Sequence, residues 1–274
     1  MMLLALGAIG LGAAGCGGSG NGSATEVVAA FYPLAYAAER VAPDVEVRNL
    51  TPAGSEPHDL ELSPRDVEAV EKADVVVYLG GGFMPALEDA VDGHEHAVDV
   101  LEGLDLREDG DPHVWLDPLR YAEVARAIAE ALDDPDAADE LVTELEALDA
   151  EFREGLARCR QREIVTSHAA FGYLADAYDL EQIPLTGISP EAEPSARAIE
   201  ELVRDVEETE ATTVFFETLV SPDLAETVGR EAGAETAVLD PLEGLSEERL
   251  EAGADYFSVM RENLAVLREA LACT

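Results

Sequence analysis

Residues 136–158 read DAADELVTELEALDAEFREGLAR. No proline follows Pro135, no glycine occurs before Gly155, and Ala, Leu and Glu dominate, so the stretch is predicted to form one long α-helix. On both sides of it, apolar runs of strand length alternate with amphipathic runs of helix length, the pattern of βα units built on parallel sheets. Before it, strands are expected at Thr25–Tyr32, Val45–Leu50 and Ala73–Leu79, and helices at Leu34–Val41, Ser63–Glu71, Pro85–Val91 and Pro118–Leu132. After it, strands are expected at Glu163–Ser167, Gln182–Thr186, Thr212–Glu217 and Thr236–Leu239, with helices near Ala170–Tyr178, Ser195–Glu208, Pro222–Ala232 and Ser246–Leu271. A glycine-poor helix between two such halves suits a rigid strut better than a flexible linker. The expected fold class is therefore α/β: two (β/α) lobes with mainly parallel sheets, residues 25–134 and 161–274, joined by a long rigid α-helix over 135–160. No internal repeat is evident beyond the shared βα rhythm.

A chain of 274 residues is long enough for two lobes rather than one core. Hydrophobic residues make up 47% of it but aromatics only 5%, so packing must rest on Ala, Val, Leu and Ile. Asp and Glu number 59 against 17 Lys and Arg, a formal net charge of −42, which argues against a nucleic-acid partner. The acidic residues are spread along the chain, as on a folded acidic surface adapted to high salt. At roughly 1 M salt the Debye length is only about 3 Å, so such charge serves solubility more than long-range steering of a cation.

Residues 1–15, MMLLALGAIGLGAAG, are apolar and uncharged, and Ala13-Ala14-Gly15 leads into Cys16 and a Gly/Ser-rich run over 16–24. This has the form of a lipoprotein signal peptide, a lipidation site at Cys16 and a tether. Without Lys or Arg in the n-region the true start codon stays open, and an ordinary cleaved signal peptide is the alternative. The stretch is short and rich in Gly and Ala, which disfavours a transmembrane helix. Either way the chain is expected outside the cytoplasm, as a membrane-anchored surface lipoprotein. Cys159 and Cys273 then remain as an even pair in an oxidising compartment, compatible with a disulfide or with two buried thiols. Asn21-Gly22-Ser23 matches a glycosylation sequon, a pattern common by chance.

Three of the five histidines lie in turn-rich segments at expected loop or strand-exit positions. His58 stands in Glu56-Pro57-His58-Asp59-Leu60-Glu61-Leu62-Ser63-Pro64, and His113 in Asp111-Pro112-His113-Val114-Trp115-Leu116-Asp117-Pro118. His168 follows the apolar run Ile164–Ser167, and Asp240 ends the run Ala237–Leu239. Open parallel sheets bind ligands outside the carboxyl ends of their strands. Two of these groups fall in each expected lobe, so a cleft between lobes brings them together. Three imidazoles and a carboxylate form a closed set suited to tetrahedral zinc, whereas calcium and magnesium prefer oxygen. Asp117 is placed to cap a helix opening at Pro118.

These segments, with Ser167-His168-Ala169-Ala170-Phe171-Gly172-Tyr173-Leu174 and Leu239-Asp240-Pro241-Leu242-Glu243-Gly244-Leu245, resemble the metal-site motifs of zinc/manganese ABC-transporter substrate-binding proteins. The resemblance runs in order from about Val27 to Leu271. It implies two (β/α) lobes joined by one long helix, a metal in the cleft held by His58, His113, His168 and Asp240, and delivery to a membrane permease driven by a cytoplasmic ATPase. It also implies a carrier, not an enzyme, and the chain is expected to act as a monomer. Manganese-selective members tend to carry Glu where this chain has His168, so Zn2+ is expected as cargo, with Mn2+ or another divalent metal as the alternative. Many zinc members have a long His-rich loop between the first two motifs; only Asp92-Gly93-His94-Glu95-His96 stands here, as an auxiliary zinc contact or a solvated loop.

Other features carry less. Gly80-Gly81-Gly82 lacks the Lys-Ser or Lys-Thr of a phosphate loop and reads as a strand-to-helix turn. Glu217 ends another expected strand and is a candidate to support a ligand, while Trp115 reads as packing beside His113. A zinc hydrolase is the rival from another class, but it needs an open coordination position and a general base, and no His-Glu-x-x-His motif is present. A surface adhesin or metal buffer with no transporter is a further alternative on the same fold.

Overall fold

The central strands are short apolar runs with both faces to cover. The structure, a computed structural model, describes residues 25–189, 196–209 and 211–274. The first sheet holds β1 (Glu26–Ala29), β2 (Glu46–Asn49), β3 (Val75–Tyr78) and β4 (Ala97–Asp99) in the order β2-β1-β3-β4. The second holds β5 (Glu163–Thr166), β6 (Glu181–Pro184), β7 (Thr213–Phe216) and β8 (Glu235–Val238) in the order β6-β5-β7-β8. All pairings are parallel, with Val27 opposite Val75 and Val165 opposite Val214. The two lobes thus repeat one strand order that the sequence does not betray. Residues 27–29, 75–77, 164–166 and 213–215 are buried, as expected of inner strands covered by helices on both sides, whereas β2, β6 and β8 are edge or near-edge strands with polar positions.

The helices are α1 (Tyr32–Val41), α2 (Pro64–Lys72), α3 (Pro85–Ala90), α4 (Pro118–Ala131), α5 (Asp139–Leu156), α6 (Gly172–Ala177), α7 (Ala196–Glu208), α8 (Asp223–Ala232), α9 (Glu247–Glu251) and α10 (Tyr256–Ala270). Their starts follow side-chain chemistry. Ser63 and Asp66 form a reciprocal capping box before α2, Asp117 accepts the Leu119 N–H at 2.9 Å before α4, and Asp255 and Ser258 cap α10. The predicted joining helix begins at Asp139, because Pro135–Ala138 form a 3-10 turn first. The predicted Ser246–Leu271 helix is two helices, parted where Gly253 takes φ +83°.

With 18 residues, α5 runs about 27 Å. Its buried stripe, Leu141, Leu145, Leu148, Phe152 and Leu156, lies at helical spacing. It packs between α4 and α10, and Arg261 of α10 makes a bidentate pair with Glu151 at 2.8 and 2.9 Å. A disulfide joins Cys159 and Cys273, fastening the end of the strut to the end of the chain. The C-terminal helix also reaches into the first lobe: the Tyr256 ring packs 4.5 Å from that of Tyr121, and its hydroxyl donates to the Trp115 carbonyl at 2.6 Å. The main core therefore runs continuously from the first lobe through α5 to α10, and a smaller cluster around Val165, Val206, Val214 and Val228 fills the second lobe. Among the described residues no helix is long and apolar enough to cross a membrane. The leader, Cys16, the sequon and the tether lie outside the described residues.

Candidate metal centre

Three histidines arrive at one point from different elements. Pro57 opens a 3-10 turn, Pro57–Asp59, that projects His58, and the Glu56 carboxylate steadies the turn by accepting the His58 backbone N–H at 3.3 Å. His113 immediately precedes the 3-10 turn Val114–Leu116. Its backbone N–H and its Nδ1 both bond to Asp111 Oδ1, at 2.9 and 2.7 Å. His168 leaves the carboxyl end of β5, beside the point where the strand order of the second sheet reverses. Its Nδ1 lies 2.6 Å from Glu217 Oε1, at the end of β7, and its carbonyl accepts hydrogen bonds from Thr166 Oγ1 and Gln182 Nε2. Ser167 Oγ also donates to Glu217.

With Nδ1 of His113 and of His168 each engaged by a carboxylate, the Nε2 atoms are left to face inward, the arrangement in which an outer carboxylate fixes the tautomer of a metal-binding imidazole. All three Nε2 atoms surround one oxygen, Glu243 Oε1, at 3.0 Å for His113, 3.3 Å for His168 and 3.4 Å for His58. A tetrahedron with metal–ligand bonds of about 2.0–2.1 Å has edges of about 3.3–3.4 Å, so the carboxylate oxygen already stands at ligand spacing from each imidazole. Ligand atoms of all four residues lie within 4.8 Å of one another, so the imidazoles need draw together only slightly around an ion. No hydrogen bond satisfies Nε2 of His58, Nε2 of His168 or Oε2 of Glu243, although all three atoms are buried. Buried polar atoms without partners are costly, and a cation bound among them removes that cost.

Charge at the site is finely opposed. Burial alone would raise the Glu243 pKa, but the three imidazoles of His113, His168 and His58 set closely around it overcome this and hold the carboxyl well below the usual range. Burial lowers the basicity of His168, yet its bond to Glu217 and the nearby Glu243 carboxylate outweigh it and bring its pKa to about 10; His113 is raised in the same way by Asp111 and Glu243. The neighbouring Glu56 carboxyl is pushed up to about 9, by burial first and then by the charge of Glu243. Such an acid–imidazole cluster exchanges protons for a divalent cation.

Asp240 does not enter the cluster; Glu243 stands where Asp240 was expected. Asp240 Oδ1 accepts the Leu242 N–H at 2.8 Å, Oδ2 accepts the Thr218 hydroxyl at 3.2 Å, and its own N–H is given to Asn263 Oδ1 at 2.9 Å. These bonds bracket a sharp bend in which Leu242, fully buried, takes φ +58°, a left-handed conformation that a branched side chain seldom adopts. The bend turns residue 243 into the cleft. Trp115 clamps the same bend, its indole N–H donating to the Pro241 carbonyl at 2.7 Å, so it is more than packing beside His113. Two residues were missed in the sequence: Glu243, although its motif shows a second carboxylate, and Asp111, whose spacing of two before His113 was the available signal. Glu217 supports His168 as the sequence suggested. His94 and His96 stay apart from the four-residue group; the His96 N–H donates to His94 Nδ1 at 3.3 Å within their own turn.

Known proteins match this chain in sequence and in overall fold. The family described as zinc-uptake complex component A, periplasmic, matches residues 27–270. The zinc-binding protein AdcA of Streptococcus pyogenes serotype M6 is 35% identical over 286 residues, which cover 89% of this chain and 55% of that protein. The chain thus spans about half the length of such relatives. The high-affinity zinc uptake system protein ZnuA of Bacillus subtilis (strain 168) is 33% identical over 300 residues, covering 98% of this chain and 94% of that protein. Among solved structures, the Zn(II)-bound ZnuA-like domain of Streptococcus pneumoniae AdcA superposes with a TM-score of 0.79 at 35% identity, covering 90% of this chain and 99% of that one. The laminin-binding protein Lmb of Streptococcus agalactiae, described as having adhesin and metal-transporting activity, gives a TM-score of 0.82 at 31% identity, with coverage of 90% and 99%.

Proposed function

Since the chain belongs to the family of periplasmic zinc-uptake complex components, we propose that it is the extracytoplasmic carrier of a metal importer. It takes up one zinc ion at His58, His113, His168 and Glu243 and delivers it to an ABC permease powered by a cytoplasmic ATPase. The observation that carries this reading is the set of three Nε2 atoms around Glu243 Oε1 at 3.0–3.4 Å, with buried unpartnered atoms on both sides. Three nitrogens favour zinc over manganese in the usual order of divalent affinities. Four protein ligands also leave no open position for an activated water, so the site suits carriage and not hydrolysis. Zinc is cargo here, and its release needs only a modest shift of the lobes, because α5 is braced by α4 and α10. Lipidation at Cys16 holds the mature chain at the membrane as a monomer.

A competition titration of the metal-free mature chain tests the cargo. One zinc per chain, bound far more tightly than manganese, is expected, with a sharp loss of zinc affinity in His168→Ala. Equal affinities for the two metals would overturn the zinc reading.

A further inference from the structure

Behind the metal cluster lies a second constellation, centred on Arg107. Its guanidinium donates to Asp109 Oδ2 at 3.1 Å from Nε and 2.8 Å from Nη2, and Nη1 donates to the Gly172 carbonyl at 3.1 Å and to Asp176. Nε also stands 3.8 Å from Asp111 Oδ2, the oxygen opposite the one that holds His113. The Arg107 backbone N–H donates to the Tyr173 hydroxyl at 3.0 Å. Gly172, Tyr173 and Asp176 belong to α6, which begins four residues after His168. One side chain of the first lobe therefore links the carboxylate behind one imidazole to the backbone just past another.

The fit at this junction is close. A Cβ on Gly172 would meet Asp111 Oδ2 at 2.5 Å and Arg107 Nε at 2.9 Å, so only glycine lets α6 approach the pair this nearly. Asp111 is almost wholly buried, 4% exposed, and Arg107 is the basic side chain that the structure sets against it besides His113. The guanidinium is packed and charged against the far oxygen of this carboxylate, whose other oxygen accepts the Nδ1–H that aims His113.

We propose that Arg107 is a positioning residue for metal binding: acting through Asp111 and against Gly172, it sets the orientation of His113 and its separation from His168. This rests on the reading of the cluster as a metal site. Its role is indirect, since it touches no ligand. A group bonded directly to a ligand typically contributes 10–100-fold to metal affinity; Arg107 stands one step further out, so the effect expected here is at most about ten-fold.

The test compares Arg107→Gln, which removes the charge and the fork, and Gly172→Ala, which leaves Arg107 in place but wedges the junction. Arg153→Gln is the control, because Arg153 also ties to α6, through the Ala177 carbonyl at 3.4 Å, but does not reach Asp111. Three quantities are read on the mature chain: zinc loss to a chelator, the visible spectrum of the cobalt(II)-loaded form, and the ring 15N shifts of His113 in the metal-free form. Both variants are expected to lose zinc several-fold to about ten-fold faster, to alter the cobalt bands and to shift the His113 resonances, while Arg153→Gln stays at wild type. Variants that lower only the melting temperature, with zinc loss, cobalt bands and His113 shifts unchanged, would overturn the proposal. The metal-free measurement separates the two readings: a wild-type chain that binds no zinc sinks the function, whereas His113 shifts insensitive to Arg107 sink this inference.

Discussion

Glu243→Gln and Asp240→Asn separate the carboxylate proposed to bind zinc from the one that folds the bend. Glu243 places one oxygen 3.0–3.4 Å from three imidazole nitrogens and is fully buried, so its carboxamide removes an anionic donor from the centre of the site. Residues one shell further out typically change metal affinity 10–100-fold, so loss of a direct ligand should exceed about 100-fold, or about 2.7 kcal/mol. Asp240→Asn keeps a carbonyl oxygen for the Leu242 N–H and can donate to Thr218 instead of accepting from it, so zinc affinity should change only a few-fold. Thermal unfolding at fixed free zinc reads both. With zinc at about 1,000 times the wild-type Kd, binding adds about 4.1 kcal/mol, which for a chain of this size raises the melting temperature by about 8–16 °C. At the same zinc concentration Glu243→Gln is left with about 1.4 kcal/mol and a rise of about 3–6 °C or less, while Asp240→Asn keeps nearly the full shift. The reverse outcome, a full shift in Glu243→Gln and its loss in Asp240→Asn, would refute the reasoning.

The Cys159–Cys273 disulfide closes a loop with a sequence separation of 114, so Cys159→Ser with Cys273→Ser should cost roughly 4–5 kcal/mol in the chain-entropy model, read by denaturant unfolding. Zinc affinity should hold in that double variant, since neither cysteine belongs to the cluster. With a net charge of −42, self-repulsion weakens the fold at low ionic strength, so the urea midpoint should rise steadily between about 0.1 and 2 M KCl; a flat or falling midpoint would remove the high-salt reading.

The fold was legible wherever period and punctuation agree. The joining helix declared itself by its lack of proline and of any glycine before Gly155, and the inner strands by runs such as Val75–Val77. β4, a three-residue edge strand, escaped because Ala97–Asp99 is too short to show a period, and the Gly253 break was hidden inside an otherwise helical composition. The three histidines stood out because each lies in a proline-rich turn or at a strand exit. The fourth member of the cluster did not, because Asp240 and Glu243 share one motif and only the left-handed turn at Leu242 decides which of them faces the cleft. Arg107 was silent for a related reason: its partners in α6 lie 65–69 residues away and come from contacts that sequence spacing does not encode, whereas Asp111, two residues before His113, had a local signal that went unread.

The central claim, one ion enclosed by four protein ligands, is tested most directly by a crystal structure of the zinc-loaded chain with anomalous data on both sides of the zinc edge. The account predicts a single strong site bonded to Nε2 of His58, His113 and His168 and to Glu243, with no bound water and Asp240 still joined to Leu242. A zinc ion bonded to Asp240, or one with a water in place of Glu243, would contradict it.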